Sequence, residues 1–529
     1  MSDSILSVRK TSVHFFSGTM ISRIFGMVRD ITLAFCFGTH EALAALFIAF
    51  RFSHLFRRLL GEGTMPSAFI PIFEEAKTKS FKNGCFFFRD LTLLWTLLLS
   101  FLCFILMGSV WVWYSYLPGY SGTREILLLA LIMIPSLVPT CLFGLNASFL
   151  QAQKQYFTPS VAPVFFNIGI ITSALLLKRS TPHAAMPYLS FGIVIACSMQ
   201  WLFTFIPVVK ACWHELGREL FRKIRLLSPE IRQLWKPLSF SLIGIGASQI
   251  NSAIDTLFAR MAEGEGPAHL WFSIRFQQLP LALFGIALGN ALLPPLTRAI
   301  QTKQIKQFTT FLEYALRQII ALLLPCTAAF FIFGSSMIAT VYGHGDFGQT
   351  SIVATTSCLQ GYAVALVPMG MITILAPAFY AQKNYSIPMR GACFSLFLNS
   401  LLNTFFIFCL SWKATSITIA TSISAWVNAF YLYYQLRKQV CPLINTQTYV
   451  SIGKTVLCVM GAACVTWFAI QSLYRPPLFF SFWKEHAIPL QLNAQIAELS
   501  YAGSCFLCSL IFLGWVTRAN DLFVWLKRK

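Results

Sequence analysis

The fold is decided by the stretch HFFSGTMISRIFGMVRDITLAFCFG (residues 14–38) and by EALAALFIAFRFSHLFRRLLGEG (residues 41–63), which follows it. Each is long and apolar enough to cross a lipid bilayer, which needs about 20 residues. Both nevertheless contain charged side chains, namely Arg23, Arg29, Asp30, Arg51, Arg57, Arg58 and Glu62. One arginine at the bilayer centre costs roughly 2.5–3.5 kcal/mol on insertion scales. We therefore expect these side chains to line a wet cavity enclosed by protein, and their excess of positive charge favours an anionic ligand.

The chain as a whole has the composition of a helical membrane protein. Of its 529 residues, 56% are hydrophobic and only 11% are charged. This composition and the recurring apolar stretches predict an all-α polytopic membrane protein. We predict about fourteen spans, at about 13–37, 41–62, 90–114, 125–150, 158–177, 184–209, 237–259, 268–294, 308–341, 350–381, 387–411, 414–436, 448–473 and 496–517.

The net charge of +21 would suggest a nucleic-acid partner in a soluble protein. Here the basic residues concentrate at the N-terminus and in the loops that follow even-numbered spans, which is the pattern of cytoplasmic loops. We therefore expect no nucleic-acid partner, and we expect both termini on the cytoplasmic side of the membrane.

The cysteines carry no sign of a metal or redox site. All fifteen are scattered through apolar stretches, where Cys acts as a small hydrophobic residue. The pair Cys505 and Cys508 has CxxC spacing but lies inside a predicted span, without a second pair or a nearby histidine. We expect no cofactor and assign no metal firmly.

An internal repeat divides the chain. AQKQYFTP (152–159) and AQKNYSIP (381–388) lie 229 residues apart, and a weaker echo pairs SAFIP (67–71) with NALLP (290–294) at 223 residues. Each offset corresponds to six spans, so the two halves should be related by a pseudo-two-fold axis along the membrane normal. The expected domains are an N-terminal six-helix lobe (1–213), a basic cytoplasmic linker (214–236), a C-terminal six-helix lobe (237–440) and two additional helices (441–529).

Helical spacing groups the charges of the first span. Asp30 follows Arg23 by seven positions and shares its face, and Gly26 lies on the same stripe, where it leaves room for a close neighbour or a ligand. Asp30 is therefore a candidate gating acid that holds the arginines of an empty cavity.

The second span and a later one add further candidates. Glu62 lies one turn after Arg58, at ion-pair spacing, while Arg57 has no acid on its stripe. One interpretation is purely structural: Arg58 pairs with Glu62, and Arg57 extends to the cytoplasmic interface. In WFSIRFQQLP (271–280), Arg275 has no acid within reach along its helix, and an intramembrane arginine is a functional candidate.

These motifs resemble the MurJ (MviN) family of lipid II flippases, within the superfamily of multidrug, oligosaccharide-lipid and polysaccharide exporters. The resemblance is carried by SRIFGMVRDITLAFCFG (22–38), AFRFSHLFRRLLGEGTMPSAFIPIF (49–73) and PLALFGIALGNALLPPL (280–296), and it extends over at least twelve spans. It implies that Arg23, Arg29, Arg57 and Arg275 bind the diphosphate of the undecaprenyl-linked peptidoglycan precursor, with Asp30 and Glu62 as cavity acids.

The resemblance also implies a place and partners for the protein. The expected location is the bacterial cytoplasmic (inner) membrane. The expected partners are lipid II, membrane lipids and cell-wall synthesis proteins, and spans 13 and 14 would form a groove for the lipid tail. The chain departs from its relatives at Ala44, Ile274 and Gln278, where acids are common in the family, which leaves any mechanism that needs those acids in doubt. Glu41, one turn before Ala44, could substitute.

Three other functions are weighed. A flippase for another polyprenyl-diphosphate-linked glycan would satisfy the electrostatics equally well. A drug exporter of the same superfamily would need an apolar or acidic cavity for cationic substrates, and the arginines argue against it. A membrane enzyme acting on prenyl diphosphates would need clustered acids to hold Mg²⁺. No such cluster is visible among the 19 acids, so we expect no enzyme.

A cation site in the second half is a further candidate. Asp255 lies well inside the seventh span, and Asn399 and Asn403 share one face of the eleventh, with Thr421 at a similar depth in the twelfth. One carboxylate with amide and hydroxyl oxygens would suit Na⁺, so transport could be coupled to sodium or to protons. The alternative is that the asparagines bond between helices and that Asp255 is protonated or paired with Arg260.

Overall fold

The structure is a computed structural model that describes residues 5–62, 65–117, 122–221, 224–226, 228–439, 446–474 and 489–523. Every regular element in those ranges is helical. The chain divides into two compact units, Met1–Leu257 and Phe258–Lys529, called unit 1 and unit 2 below.

Unit 1 is built from long helices joined by short turns. Its helices are α1 (Ile5–Phe37), α2 (Glu41–Arg57), α3 (Met65–Lys79), α4 (Phe81–Tyr116), α5 (Gly122–Met133), α6 (Leu137–Ala152), α7 (Phe157–Val161), α8 (Pro163–Leu177), α9 (Pro182–Leu216) and most of α10 (Pro229–Ala262). A 3₁₀ turn, Ile134–Ser136, joins α5 to α6, and another, Gly217–Phe221, follows α9 within the predicted basic linker.

Unit 2 contains the end of α10 and eight further helices among the described residues. These are α11 (Gly266–Pro280), α12 (Ala287–Gln301), α13 (Ile305–Tyr342), α14 (Gln349–Ala381), α15 (Ser386–Phe408), α16 (Thr415–Gln439), α17 (Thr446–Tyr474) and α18 (Pro489–Val516), followed by a 3₁₀ turn, Asn520–Phe523.

Helix covers every predicted apolar stretch, and the expectation of an all-helical membrane protein is confirmed. Ten helical segments of the described chain are long and apolar enough to cross a membrane. The other predicted spans coincide with α1, α2, α10 and α16, which contain the candidates Arg23, Arg29, Asp30, Arg57, Asp255 and Thr421. Polar candidate side chains and low apolar character therefore fall largely on the same helices.

The outer face of α4 shows what surrounds the protein. Phe104 is 76% exposed and Trp111 61% exposed, and the intervening residues on that face are apolar as well. A continuous apolar surface of this length on a water-soluble protein would be an aggregation site. On a membrane helix it is the surface that contacts lipid tails.

The short amphipathic helix α3 was not predicted from hydropathy. It packs against α4 and α6 through stacked and tilted rings: Phe69 and Phe73 have centroids 5.2 Å apart, and Phe149 lies 5.2 Å from Phe73 and 4.4 Å from Phe88. All four rings are buried. Burying an aromatic side chain contributes roughly 1.5–3 kcal/mol, so this cluster stabilises α3 against α4 and α6.

In unit 2, the last two helices of the described chain, α17 and α18, pack against α13. Arg317 of α13 lies 3.2 Å from Asp521, beyond the end of α18, and the Ser336 hydroxyl donates to Glu498 of α18 at 2.9 Å. The Thr448 hydroxyl of α17 donates to Glu313 of α13. The start of α17 and the end of α18 therefore lie beside the first third of α13.

Two π-helical turns directly follow the helices that contain Arg57 and Arg275. One, Arg58–Glu62, continues α2, and the other, Leu281–Ile286, continues α11. They begin 223 residues apart, at residues 58 and 281, which is the spacing of the weaker sequence echo. π-helical turns are rare in proteins as a whole, and those that occur are frequently found at functional sites.

Candidate functional site

The α1 arginine at position 29 is buried and already paired. Its Nε and Nη2 donate to Oδ1 of Asp30 at 3.0 and 2.7 Å. Arg29 is 9% exposed and Asp30 is 2% exposed. Spacing alone put Asp30 on the face of Arg23, but the carboxylate oxygen of Asp30 accepts from its sequence neighbour, because the long guanidinium side chain reaches sideways round the helix.

Asn167 of α8 completes the surroundings of Arg29. Its Oδ1 accepts from Nη1 of Arg29 at 3.1 Å, and its Nδ2 donates to the carbonyl of Ser22 at 3.4 Å. A Cβ added to Gly26 would lie 3.8 Å from Nδ2 of Asn167, so the space at this glycine is occupied by a neighbouring helix. Asn167 is 4% exposed and joins the buried pair to the backbone of α1.

Phe166, the neighbour of Asn167, lies between two arginines. The guanidinium carbon of Arg29 is 6.0 Å from the ring centroid and that of Arg57 is 5.9 Å away. These distances are at the limit of a cation–π contact, so one buried ring helps to orient two cations. The ring of His54 is 6.0 Å from Phe166 and stacks at 3.7 Å on Phe50.

Just beyond Arg57, the end of α2 lies very close to the backbone of α6. Where α2 turns into the π-helix, Gly61 packs on α6, and a Cβ added to Gly144 would lie 2.6 Å from the carbonyl carbon of Gly61. The end of α2 can approach α6 this closely only because both residues lack side chains.

Arg23 differs from the two arginines beside Phe166. It is exposed, and it makes no hydrogen bond, ion pair or ring contact within the part of the chain that the structure describes. Its side chain lines a cavity of about 240 Å³ whose wall includes Thr19, Ser22, Phe143, Gly144, Gln151 and Ser160. Pockets for drug-sized ligands measure roughly 300–1,000 Å³, so this cavity can hold only part of a large headgroup.

The other charges of α2 have separate surroundings. Nη1 of Arg51 donates to the Ser252 hydroxyl of α10. Arg58 is exposed at the start of the π-helix. The predicted partner of Arg58 is the carboxylate of Glu62, and this side chain is outside the described part of the structure, although its backbone ends the π-helix. Ala44, where the family resemblance implies an acid, is fully buried.

In unit 2, Arg275 lies over the ring of Trp271, one turn earlier on α11, with the guanidinium carbon 4.6 Å from the centroid. This is within cation–π range. At the two positions of α11 where the family resemblance implies acids, Ile274 packs against a small apolar core and Gln278 is exposed. Nε2 of Gln277 donates to the carbonyl of Tyr362 and ties α11 to α14 at 3.1 Å.

The cation-site candidates lie in both units. In unit 1, Asp255 is 7% exposed, and its Oδ2 accepts from Nδ2 of Asn251 at 3.3 Å. In unit 2, Nδ2 of Asn403 donates to Oδ1 of Asn399 at 2.6 Å, and Nδ2 of Asn399 donates to the Thr421 hydroxyl at 3.2 Å. Asn399 thus links α15 to α16, while Asn403 bonds within α15. No cluster of three or more His, Cys, Asp or Glu with metal-binding geometry is present in the described ranges.

A buried histidine and one acid link two loops of unit 2. Nδ1 of His269 donates to Oε1 of Glu263 at 3.1 Å, and the same oxygen accepts from the backbone N–H of Ala414 at 3.3 Å. Burial opposes the ionisation of Glu263, but the hydrogen bond and charge of His269, with the Ala414 N–H, outweigh it and hold the pKa of Glu263 below its ordinary value.

Sequence analysis missed Phe166 and Asn167. The asparagine had a detectable signal, since a lone amide in an apolar span usually bonds to another helix. The phenylalanine had none, because the chain contains 51 phenylalanines and no pattern distinguishes the one that lies between two cations.

The all-helical fold and the buried, arginine-rich site define a polytopic membrane transporter. A family model described as "Lipid II flippase MurJ" matches residues 33–485. The chain therefore belongs to the MurJ family of lipid II flippases, which are transporters of a peptidoglycan precursor and catalyse no chemical reaction.

Individual relatives and solved structures agree with this assignment. Proteins described as probable lipid II flippase MurJ from Chlamydia muridarum and Chlamydia trachomatis serovar D are each 30% identical to the chain. The alignments cover 98% and 87% of this chain and 95% and 84% of the respective relative. A structure of lipid II flippase MurJ in an inward closed conformation matches 96% of this chain and 99% of its own, with a TM-score of 0.73 and 21% identity. An inward-facing multidrug MATE transporter of the MOP superfamily shares the fold, with a TM-score of 0.65 and 14% identity over 82% of this chain and 98% of its own.

Proposed function

We propose that this protein moves lipid II from the inner to the outer leaflet by alternating access, with the diphosphate held by Arg23, Arg29, Arg57 and Arg275. The observation that supports this proposal is the group of arginines in unit 1. Two of its arginines are oriented by one phenylalanine, and a third lines a cavity without a protein partner in the described chain. Guanidinium groups bind phosphate oxygens through paired, charge-assisted hydrogen bonds, which suits a diphosphate.

The arginines of unit 1 divide the work between them. Arg23 is available to the substrate, whereas Arg29 is shared with Asp30 and Asn167. We infer that the diphosphate is first bound by Arg23 and then competes with Asp30 for Arg29. Asp30 acts in this scheme as a gating acid, and Glu62 remains a second candidate for that role.

The path of the lipid follows from the size of its parts. The cavity of about 240 Å³ beside Arg23 is too small for a disaccharide-pentapeptide, so the headgroup requires a larger space that opens as the two six-helix lobes rock. The headgroup crosses in the wet cavity while the prenyl tail stays in lipid, along a groove formed by α17 and α18. Membership of the family supports a location in the bacterial inner membrane, and the apolar stretches support fourteen spans in all. The basic loops support both termini in the cytoplasm.

The diphosphate role can be tested at Arg23. Arg23→Lys keeps the charge but cannot form the forked contact, so flipping of fluorescent lipid II in proteoliposomes should fall by roughly tenfold or more. Arg58→Lys is the matched control, because Arg58 is exposed and lies outside the proposed set. If Arg23→Lys flips lipid II at the wild-type rate and at equal protein density, Arg23 does not bind the diphosphate. An equal rate for another undecaprenyl-diphosphate-linked glycan would broaden the substrate.

Coupling to Na⁺ through Asp255, Asn399, Asn403 and Thr421 is part of the same proposal. In unit 2 three of these residues form one hydrogen-bonded chain, and their oxygens are suitable ligands for Na⁺. The test compares wild type with Asp255→Asn in proteoliposomes with and without a Na⁺ gradient. An identical response of both to sodium would exclude the site from coupling and would favour proton coupling or the membrane potential.

A further inference from the structure

Four helices end in the same left-handed turn, and each turn carries a basic residue. The φ angles of Lys154, Lys303, Lys383 and Arg518 are +63°, +56°, +58° and +54°. They follow the ends of α6, α12, α14 and α18, respectively. Left-handed helix caps are usually glycine and sometimes asparagine, because a Cβ is disfavoured there. We call these four residues the basic caps.

The hydrogen bonds of the turns are equivalent. After α12, the N–H of Gln304 bonds to the carbonyl of Ala299 at 2.9 Å, and the N–H of Lys303 to that of Ile300 at 3.1 Å. The same pair of bonds closes α6, α14 and α18, at 2.9 and 2.9 Å, 3.0 and 2.9 Å, and 2.9 and 3.2 Å. This is the Schellman arrangement, which satisfies the last helix carbonyls through the backbone alone. The basic side chain is therefore not needed to close the turn.

The basic caps of unit 2 lie at one end of that unit. The chain crosses along α13 and returns along α14, so Lys303 and Lys383 lie at the same end. Arg518 joins them, because Asp521, three residues later, contacts Arg317 in the first third of α13. At the opposite end, the left-handed positions of the described chain are Gly345 and Ser411.

The charges of the three basic caps of unit 2 are not paired within the described part of the chain. All four side chains are exposed. Those of Lys303, Lys383 and Arg518 make no hydrogen bond, ion pair or ring contact with the described residues. Three exposed cations thus follow the ends of helical segments that are long and apolar enough to span a membrane. A segment that spans a bilayer brings its ends to the headgroup region, where the lipid phosphates lie.

We propose that the basic caps bind the phosphate groups of anionic phospholipids, with Lys303, Lys383 and Arg518 forming one such surface on unit 2. Lys154 occupies the turn of unit 1 whose sequence, AQKQYFTP, repeats that around Lys383, AQKNYSIP. Positive charge is complementary to a phosphodiester, and the position at the end of a membrane helix selects a lipid over a soluble anion. The side chain is retained at a position that glycine would suit better, because it fixes each helix end to the membrane surface.

The test uses glycine, which relieves the turn while it removes the charge. Purified wild type and a Lys303→Gly, Lys383→Gly, Arg518→Gly variant are heated in neutral detergent while phosphatidylglycerol is titrated, with phosphatidylcholine as the neutral lipid. Without lipid, the variant should be at least as stable as wild type, since glycine adopts this conformation freely. With phosphatidylglycerol, the concentration that gives half of the thermal stabilisation should rise roughly tenfold or more, because each basic residue near an anionic surface contributes about fivefold.

Two controls separate the caps from other effects. Lys306→Ala, Arg390→Ala, Arg437→Ala removes three exposed basic residues outside left-handed turns, and Ser411→Gly makes the same backbone change at the other end of unit 2. The alanine control should raise the phosphatidylglycerol concentration for half stabilisation less than the cap variant does, and Ser411→Gly should respond as wild type does. Asparagine at the three caps, which also tolerates the turn, repeats the test if the glycine variant is poorly produced.

Three results would overturn the proposal. The first is a cap variant that is stabilised at the same phosphatidylglycerol concentration as wild type. The second is an equal shift in the alanine control, which would assign the effect to overall surface charge. The third is equal stabilisation of wild type by inorganic phosphate, which would make the ligand a soluble anion. The rate of lipid II flipping does not enter these readouts, so they are independent of the proposed function.

Discussion

Replacing Arg29 with glutamine should destabilise the protein strongly, whereas the same replacement at Arg23 should leave stability nearly unchanged and still abolish lipid II flipping. The two residues lie on one helix and carry the same charge. They differ in burial and in bonding partners, and each difference gives an expected change in the free energy of unfolding.

The cost at position 29 follows from the acid left behind. The guanidinium of Arg29 makes two hydrogen bonds to Asp30 and one to Asn167, and the carboxylate of Asp30 is only 2% exposed. Breaking a buried ion pair by removing one partner typically costs about 3–5 kcal/mol, since the remaining charge is uncompensated. At Arg23, which is exposed and unpaired in the described chain, the change in unfolding free energy should stay within about 0.5 kcal/mol.

A double replacement separates pairing from transport. Arg29→Leu with Asp30→Leu removes both charges, and replacing a buried ion pair by apolar residues is often neutral or stabilising. We expect this variant to recover most of the stability lost in Arg29→Gln. We expect no recovery of flipping, because Arg29, to which the diphosphate passes after Arg23, is still absent.

The assay measures two quantities on the same preparations. The fraction that remains monodisperse after heating in detergent reports stability, and fluorescent lipid II flipping in proteoliposomes reports transport. If Arg29→Gln and Arg23→Gln melt at the same temperature, the Arg29–Asp30 pair does not stabilise the protein. If the double leucine variant flips lipid II normally, Arg29 has no role in transport.

Three other perturbations follow from local geometry. Gly144→Ala places a methyl group 2.6 Å from the backbone of Gly61, so it should lower the melting temperature and the flipping rate, whereas Gly108→Ala, with nothing within 4 Å, should change neither. Asn167→Leu removes two hydrogen bonds from the wall of the site and should cost about 1–3 kcal/mol of stability; a melting temperature equal to that of wild type would contradict this. Because the pKa of Glu263 is lowered in the folded state, its contribution to stability is complete above the ordinary carboxyl pKa and is lost as the pH falls through the lowered value. The melting temperature of wild type should therefore fall more steeply than that of Glu263→Gln as the pH falls below the ordinary carboxyl pKa of 4.5, and parallel curves would refute the assignment.

Much of the architecture was predictable because it depends on local composition. Apolar stretches of spanning length must be helical in lipid, since every backbone polar group has to be bonded internally. The predicted stretches therefore coincide with helices to within a few residues at most of their ends. The amphipathic α3 escaped prediction because its apolar residues meet α4 and α6 only after the chain has folded.

The site residues show what helical spacing can and cannot predict. Charged residues in an apolar span indicate an enclosed polar site, and in the structure Arg29 and Asp30 are buried while Arg23 is exposed and lines a cavity. Helical spacing could not say which arginine Asp30 would bond, because a guanidinium reaches across its helix in any direction that the neighbouring helices leave open.

By itself, the sequence determined that this protein is a helical membrane transporter of the MurJ family with an arginine-rich site, because hydropathy and motifs are properties of contiguous residues. Only the tertiary structure decided that Arg29 is paired and that Arg23 lines a cavity. It also decided that Phe166 and Asn167 of α8 hold the cations of α1 and α2. The last two of these facts depend on residues more than a hundred positions apart being brought into contact, and no local pattern in the sequence encodes such a contact.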